Sequence, residues 1–193
     1  MKKPAIIISI LLILFGTASS AQENNEVPVK KPKRFSMGVQ AMMIHTSGKD
    51  LNIADLGIGF TMRYFMTERL AVSAQLNSTR SLKYYTPGAT LNRNGFEVPV
   101  QLEYHLLPGS KVRPFFAAGA GLSSQHTAMK YNDGRPTSYT YNQSAFLQLG
   151  YGVSFNVGKK MLLSTLLSYR YNVSTHQHGM ALSLGFGWRH YKK

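Results

Sequence analysis

His45, Thr46 and Ser47 put an imidazole two residues from a hydroxyl, a spacing at which a base activates a serine if a carboxylate orients the ring. His176, Gln177 and His178 offer two imidazoles to a metal, but without a nearby carboxylate to complete the ligand set. Carboxylates are scarce: eight Asp and Glu stand against 22 Lys and Arg, and Glu23 and Glu26 lie in a polar tract near the N-terminus. Gly-x-Gly recurs at Gly57/Gly59, Gly119/Gly121, Gly150/Gly152 and Gly185/Gly187. A nucleotide-binding loop would need a further glycine and a helix start, and neither follows. Asn77-Ser78-Thr79 matches a glycosylation sequon. No nucleophile comes with a positioned base, so the expectation is no enzyme, no cofactor and no metal site, with 174–178 a solvated loop.

The elements that would position such residues are strands. Period-two alternation starts at Phe35 and recurs to the C-terminus in eight segments. One segment sets Phe96, Val98, Val100, Leu102 and Tyr104 against Glu97, Pro99, Gln101, Glu103 and His105; the last sets Met180, Leu182, Leu184, Phe186 and Trp188 against Ala181, Ser183, Gly185, Gly187 and Arg189. Connections at 67–68, 108–111 and 158–159 are tight; those at 81–94 and 125–142 are long, and those at 46–50 and 174–178 are intermediate. Tight turns at one end and long loops at the other are what transmembrane barrels show.

The N-terminus supplies the compartment. Lys2 and Lys3 precede an apolar run from Ala5 to Phe15, and small residues lead to an A-x-A-like site at Ala21. This predicts a signal peptide over residues 1–21, cleaved before Gln22. Residues 22–34 are polar, end in basic residues and hold little to bury, so a disordered periplasmic lead-in is expected, with the barrel over 35–193. No later stretch approaches the ~20 apolar residues of a membrane helix, so a membrane protein must cross with strands. There is no Cys, hence no disulfide framework. Losing Lys2 and Lys3 takes the net charge from +14 to +12. Export disfavours nucleic acid and leaves anionic lipid, phosphorylated glycolipid and acidic surface polymers as basic-protein partners.

A soluble ligand-binding barrel with its apolar face inward is the rival arrangement. The other face decides between them. It is mostly Gly, Ser, Ala, Gln, Asn and Thr, which suits the inside of a narrow barrel better than a water-facing sheet. The glycines of the Gly-x-Gly repeats all fall on it, allowing close approach. The fold class expected is all-β, an eight-stranded antiparallel up-and-down transmembrane β-barrel with short periplasmic turns and longer extracellular loops. Its lumen would hold two ionic layers: Arg63, Glu103, Arg113 and Arg189 near the periplasmic end, and Asp55, Glu97 and Arg170 nearer the outside. Pro99 predicts a bulge or a broken ladder, because a closed barrel has no edge to hide a missing donor.

The segment FEVPVQLEYHLLPGSKVRPFFAAGAGLS, residues 96–123, resembles the central hairpin of the PorT-like outer-membrane β-barrel family. Strand count and loop asymmetry over residues 35–191 are similar to those of OmpA-type, OmpX-type and OmpW-type domains. The resemblance implies a fold and the cell outer membrane as location. Enzymes on such barrels need particular residues. A deacylase would need its His-Ser pair near later strands, an omptin-like protease paired Asp and His, and a palmitoyltransferase an apolar lumen.

The expected role is therefore structural or surface-interacting, with a filled lumen. The alternative is a carrier of small hydrophobic molecules through a lateral opening, as OmpW-like barrels suggest. Tyr and basic side chains in the long loops, Lys83, Tyr84, Tyr85 and Arg93 in one and Lys130, Tyr131, Arg135, Tyr139 and Tyr141 in the other, suit recognition of sugars, phosphates or proteins; Lys83, Tyr84, Tyr85, Arg93, Lys130, Tyr131 and Arg135 are the binding candidates. A plainer reading has the tyrosines marking the membrane interface and the basic residues pairing with lipopolysaccharide phosphates. The partners expected are outer-membrane lipid and lipopolysaccharide, with an extracellular ligand or protein at the loops, and the protein is expected to be a monomer.

Overall fold

A computed structural model describes residues 35–47, 52–82, 84–86, 88–157 and 160–190. The signal peptide and lead-in expected over 1–34 lie outside the described residues, as do Lys83 and the turn at 158–159. The strands are β1 (Phe35–Ser47), β2 (Asn52–Phe65), β3 (Leu70–Ser81), β4 (Tyr84–Thr86), β5 (Ala89–His105), β6 (Val112–Tyr131), β7 (Ser138–Val157), β8 (Met161–Asn172) and β9 (Gln177–His190). Eight of them close a barrel. Each barrel strand runs antiparallel to two neighbours, β9 returns to β1, and β3 skips the short β4 to pair with β5.

Alternation along the sequence becomes an inside and an outside. Ser36, Gln40, Met42 and Ile44 of β1 are buried, while Met37, Val39 and Met43 between them are exposed. The same holds around the ring. Leu56, Ile58, Phe60 and Met62 face out from β2, and Leu147 and Leu149 from β7. An apolar face turned outward and a polar face turned inward suit lipid outside a closed wall, since neighbouring strands pair all round the ring among the described residues.

Phe35, Tyr64 and His190 meet at one end, together with the β2–β3 and β5–β6 turns. The β2–β3 turn is held by Thr67, whose Oγ1 accepts from the backbone N–H groups of Arg69 and Leu70. Gly109 takes a φ of 91° in the β5–β6 turn, a backbone that other residues adopt only with strain.

Two expectations need correcting at the opposite end. Residues 89–94, and 125–131 with 138–142, read as loop in the sequence; they are the outer parts of β5, β6 and β7. Pairing of β6 with β7 continues to Met129 opposite Ser138, whereas β8 meets β7 only from Phe146 onward. The hairpin therefore stands about 25 Å beyond the end of β8 at the usual rise per residue. Both of its faces leave the membrane, so the apolar alternation fades while Thr and Tyr keep their preference for strand.

Pro99 leaves a gap without a bulge. Ala74 lies opposite Val100 and Asn77 opposite Glu97, one unbroken register, but the β3–β5 pairing is interrupted between them. On the other side Pro99 pairs with Gly121. Gly121 is also where the Phe146 ring lies, so an added Cβ would overlap it, and Gly152 receives the Phe115 ring in the same way. Both pairs are direct cross-strand neighbours, so a large ring covers each bare backbone.

Candidate functional site

Side chains project into the lumen in layers. Near the termini, Arg63 of β2 and Glu103 and His105 of β5 project inward because their strands alternate. Arg63 Nε lies 2.6 Å from Glu103 Oε2, an ionic contact rather than an aligned hydrogen bond. His105 Nε2 sits 3.3 Å from the same carboxylate, and the imidazole is sandwiched between Phe65 and Phe115 at ring distances of 5.4 and 5.1 Å. Glu103, His105 and Ser73 are fully buried.

Amides form the middle layer. Gln40 Nε2 donates to Gln75 Oε1 at 2.7 Å and to Asn77 Oδ1 at 2.8 Å, and Gln148 Nε2 donates to Gln101 Oε1. Above them Arg170 grips Glu97 with both terminal nitrogens, at 3.3 and 2.9 Å, and its guanidinium lies 3.9 Å from the centre of the Phe146 ring. Asp55 pairs with Arg93 through Nε and Nη2. Among the described residues, three lumen carboxylates thus meet three guanidiniums.

Arg93 is a correction. The sequence puts it among the loop binding residues, yet it is buried inside the wall, because β5 begins at Ala89 and puts odd-numbered residues inward. Counting back by twos from Glu97 gives the signal that finds it. Arg113 is only half-buried at the rim, where its Nε donates to the Ser110 carbonyl. Arg189 lies opposite Ser36 in the register, and its side chain is outside the described residues. Sequence reasoning did not single out the His105 sandwich, although His105 continues the inward set of Glu97, Gln101 and Glu103.

At the far end a cavity of about 40 Å3, room for a few waters, opens among Arg93, Glu97, Arg170, Gln125 and His178. His176 and His178 are exposed, and each meets a tyrosine of β8. The Tyr171 hydroxyl meets His176 Nδ1 at 2.7 Å, and the Tyr169 hydroxyl meets His178 Nδ1. His45 is exposed on the outer face of β1, whereas Asp55, Glu97 and Glu103 all point inward, so no carboxylate of the lumen can orient it.

The remaining described loop candidates lie on the projecting strands or at the tip of their hairpin. Tyr84 and Tyr85 form β4, their side chains outside the described residues; they pair with Leu91 and Thr90 of β5. Lys130 is exposed on β6. At the hairpin tip the Arg135 guanidinium stacks 4.2 Å from the Tyr131 ring centre and binds Asp133 Oδ2 at 2.7 Å. On the outward face of the hairpin, Tyr139 and Tyr141 are 68% and 61% exposed. The phenol oxygen of Tyr141 accepts from Ser124 Oγ at 2.8 Å and Gln143 Nε2 at 3.0 Å. These bonds, that from Ser124 foremost, lower the pKa of the Tyr141 phenol.

Among solved structures the chain is similar to Neisserial surface protein A, with 19% identity and a TM-score of 0.58 over 81% of this chain and 97% of that one. It is similar to Ail, the attachment invasion locus protein of Yersinia pestis, at 15% identity and TM-score 0.57 over 84% and 100%. A major outer membrane protein from Thermus thermophilus matches at 11% identity and TM-score 0.56 over 81% and 99%. At these identities the likeness is one of fold. No curated protein matches the sequence. The outer membrane protein beta-barrel domain matches residues 8–189, nearly the whole chain, and with the closed wall and its outward apolar face this establishes that the chain belongs to that family of outer-membrane barrels.

Proposed function

We propose that this protein is a surface-interaction barrel of the outer membrane, exported by a cleaved signal peptide, with a lumen filled rather than open. The observation that carries the reading is the sheet that stands beyond the barrel. β4 and the outer parts of β5, β6 and β7 pair in sequence, and residues 138–144 of β7 have no strand on their other side among the described residues. This edge reads SYTYNQS, with neither the Lys nor the Pro by which natural proteins blunt an exposed strand. An edge left open in this way suits a partner chain that adds a strand.

The filled lumen is supported by the paired charges and the amide layer, which occupy the space eight strands enclose. A carrier with a lateral opening has less behind it: neighbouring barrel strands are paired all round, and the described gap spans only Gln75 and Leu76 beside Pro99. An enzymatic role lacks a converging base, nucleophile and carboxylate among the described residues.

The test is a comparison of partners captured by tagged protein from intact outer membranes. Replacing Lys83, Tyr84 and Tyr85 together with Ala should weaken that capture several-fold while the barrel still shifts on boiling in a denaturing gel. Unchanged capture would remove β4 from the recognised surface, and unchanged capture by Thr140→Pro, which spoils the open edge of β7, would remove the projecting sheet from the function.

A further inference from the structure

We propose that the outer wall at the root of the projecting hairpin is a binding site for an outer-leaflet glycolipid, with its acyl part on β5 and β6 and its saccharide under Tyr141. The site goes beyond the surface-interaction role, and rests on that reading only for the hairpin end facing outward. A groove of about 370 Å3 lies there, lined by Phe96 and Val98 of β5, Leu122 and Ser124 of β6, and Gln143 and Ser144 of β7. Its lining changes character along the strands. Phe96, Val98 and Leu122 continue the outward apolar face of the barrel, all three exposed. One step farther out, about 7 Å along the strand, the register pairs Ser124 with Gln143. A groove apolar on its membrane side and hydroxyl- and amide-bearing on the other matches the junction of an acyl chain with a polar headgroup.

Tyr141 fixes what kind of headgroup. Both Ser124 and Gln143 give their hydrogens to its phenol oxygen, so its own hydrogen is left to be donated to a ligand oxygen. The same two bonds make the phenol a stronger acid and hence a stronger donor. No Lys or Arg among the described residues lines the groove, so a headgroup dominated by phosphate would find no cationic partner. A saccharide needs none, since hydroxyl, amide and phenol groups serve its hydroxyls. Beyond Tyr141, His126 and Tyr139 stack at 5.6 Å with 27° between their planes, and Tyr139 is widely exposed. That is a flat aromatic face on which further sugar rings can lie. A saccharide carrying acyl chains meets both halves of the groove.

The experiment is native mass spectrometry of the purified full-length protein in detergent, with a phosphate-free diglycosyl diacylglycerol or phosphatidylglycerol added at equal concentration. Wild type should retain one glycolipid and little phosphatidylglycerol. Tyr141→Phe should weaken retention about tenfold, the scale of one hydrogen bond, and Leu122→Asn should weaken it as well. Tyr169→Phe, an exposed tyrosine on β8 that does not line the groove, should leave it unchanged. Equal retention of the two lipids, or equal losses from Tyr141→Phe and Tyr169→Phe, would overturn the site by showing only a general lipid annulus. Each variant's shift on boiling confirms that it is folded. The Lys83, Tyr84 and Tyr85 variant should keep its glycolipid. Loss of the groove's selectivity with intact partner capture would therefore sink this site and leave the surface role standing.

Discussion

Asp55 with Arg93 and Asp133 with Arg135 are the same chemical pair in two regions of one molecule. In the lumen the two side chains are 4% and 9% exposed, and the guanidinium also crosses from β5 to β2, tying strands far apart in sequence. At the hairpin tip the exposures are 53% and 64%, and the partners are two residues apart. Water solvates the second pair whether or not it forms, so the contact contributes little. The first has lost most of its water, and either member left alone would remain in a site built for two charges. The lumen thus uses charge to hold a closed wall in register, while at the hairpin tip the same groups remain in water. The largest effects of substitution are expected inside and the smallest at the tip.

The deepest ionic layer sets the upper end of that scale. Glu103→Ala would strand Arg63 in a layer where Glu103 and His105 are fully buried, with a cavity beneath the Phe65–His105–Phe115 stack. A loss of about 3–5 kcal/mol is expected, the cost of breaking a buried pair. It should appear as a lower temperature for the shift from folded to unfolded mobility on gels and a lower urea midpoint. Combining it with Arg63→Ala removes the stranded charge, so the double variant should recover part of the stability. It should also be leakier in planar bilayers, where wild type should show no steady conductance. Wild-type conductance that scales with salt would contradict a filled lumen, and a harmless Glu103→Ala would contradict the pair's structural weight.

Strand parity makes most of this layer legible in the sequence itself. Arg63, Glu97, Glu103 and Arg170 fall on the small-residue face of unmistakable period-two segments, so type and spacing alone give their inward direction. Where the apolar alternation fades, the reading fails. Residues 125–131 and 138–142 keep strand-forming Thr and Tyr, but with water on both faces nothing in the pattern separates a projecting strand from a loop. Arg93 is misplaced for that reason, and the groove under Tyr141 is missed with it, since that groove needs the register of β6 against β7 to exist at all. The Asp55–Arg93 partnership is likewise beyond the sequence, because which residues meet across the lumen depends on how far each strand is staggered.

Arg93→Ala should fall in the middle of the scale. It frees Asp55 of its guanidinium, and it also leaves the cavity at the mouth more open, since Arg93 lines that cavity with Glu97 and Arg170. A loss of about 2 kcal/mol is expected, less than for Glu103 because water reaches the mouth more easily. Urea unfolding of the variant against Arg93→Lys checks the cause. Lysine restores the charge but not the two-nitrogen grip on Asp55, so it should recover only part of the loss. Full stability in the alanine variant would return Arg93 to the loop set.

The smallest effect should come from Arg135→Ala. Its guanidinium touches Asp133 and the Tyr131 ring, and both contacts close within a tip where Gly134 already sets the turn with a φ of 82°. Removing them is expected to change barrel stability by less than about 0.5 kcal/mol, as for other exposed pairs. Partner capture is the measurement that gives the substitution meaning. If the projecting sheet meets its partner at the tip, Arg135→Ala should weaken capture with stability untouched, whereas Arg93→Ala should lower stability first and capture only as the folded population falls. If the partner adds to the open edge of residues 138–144 instead, Arg135→Ala should be silent in both measurements. A variant at the tip that unfolded the barrel would break the division between a wall held by paired charges and a sheet free to be recognised.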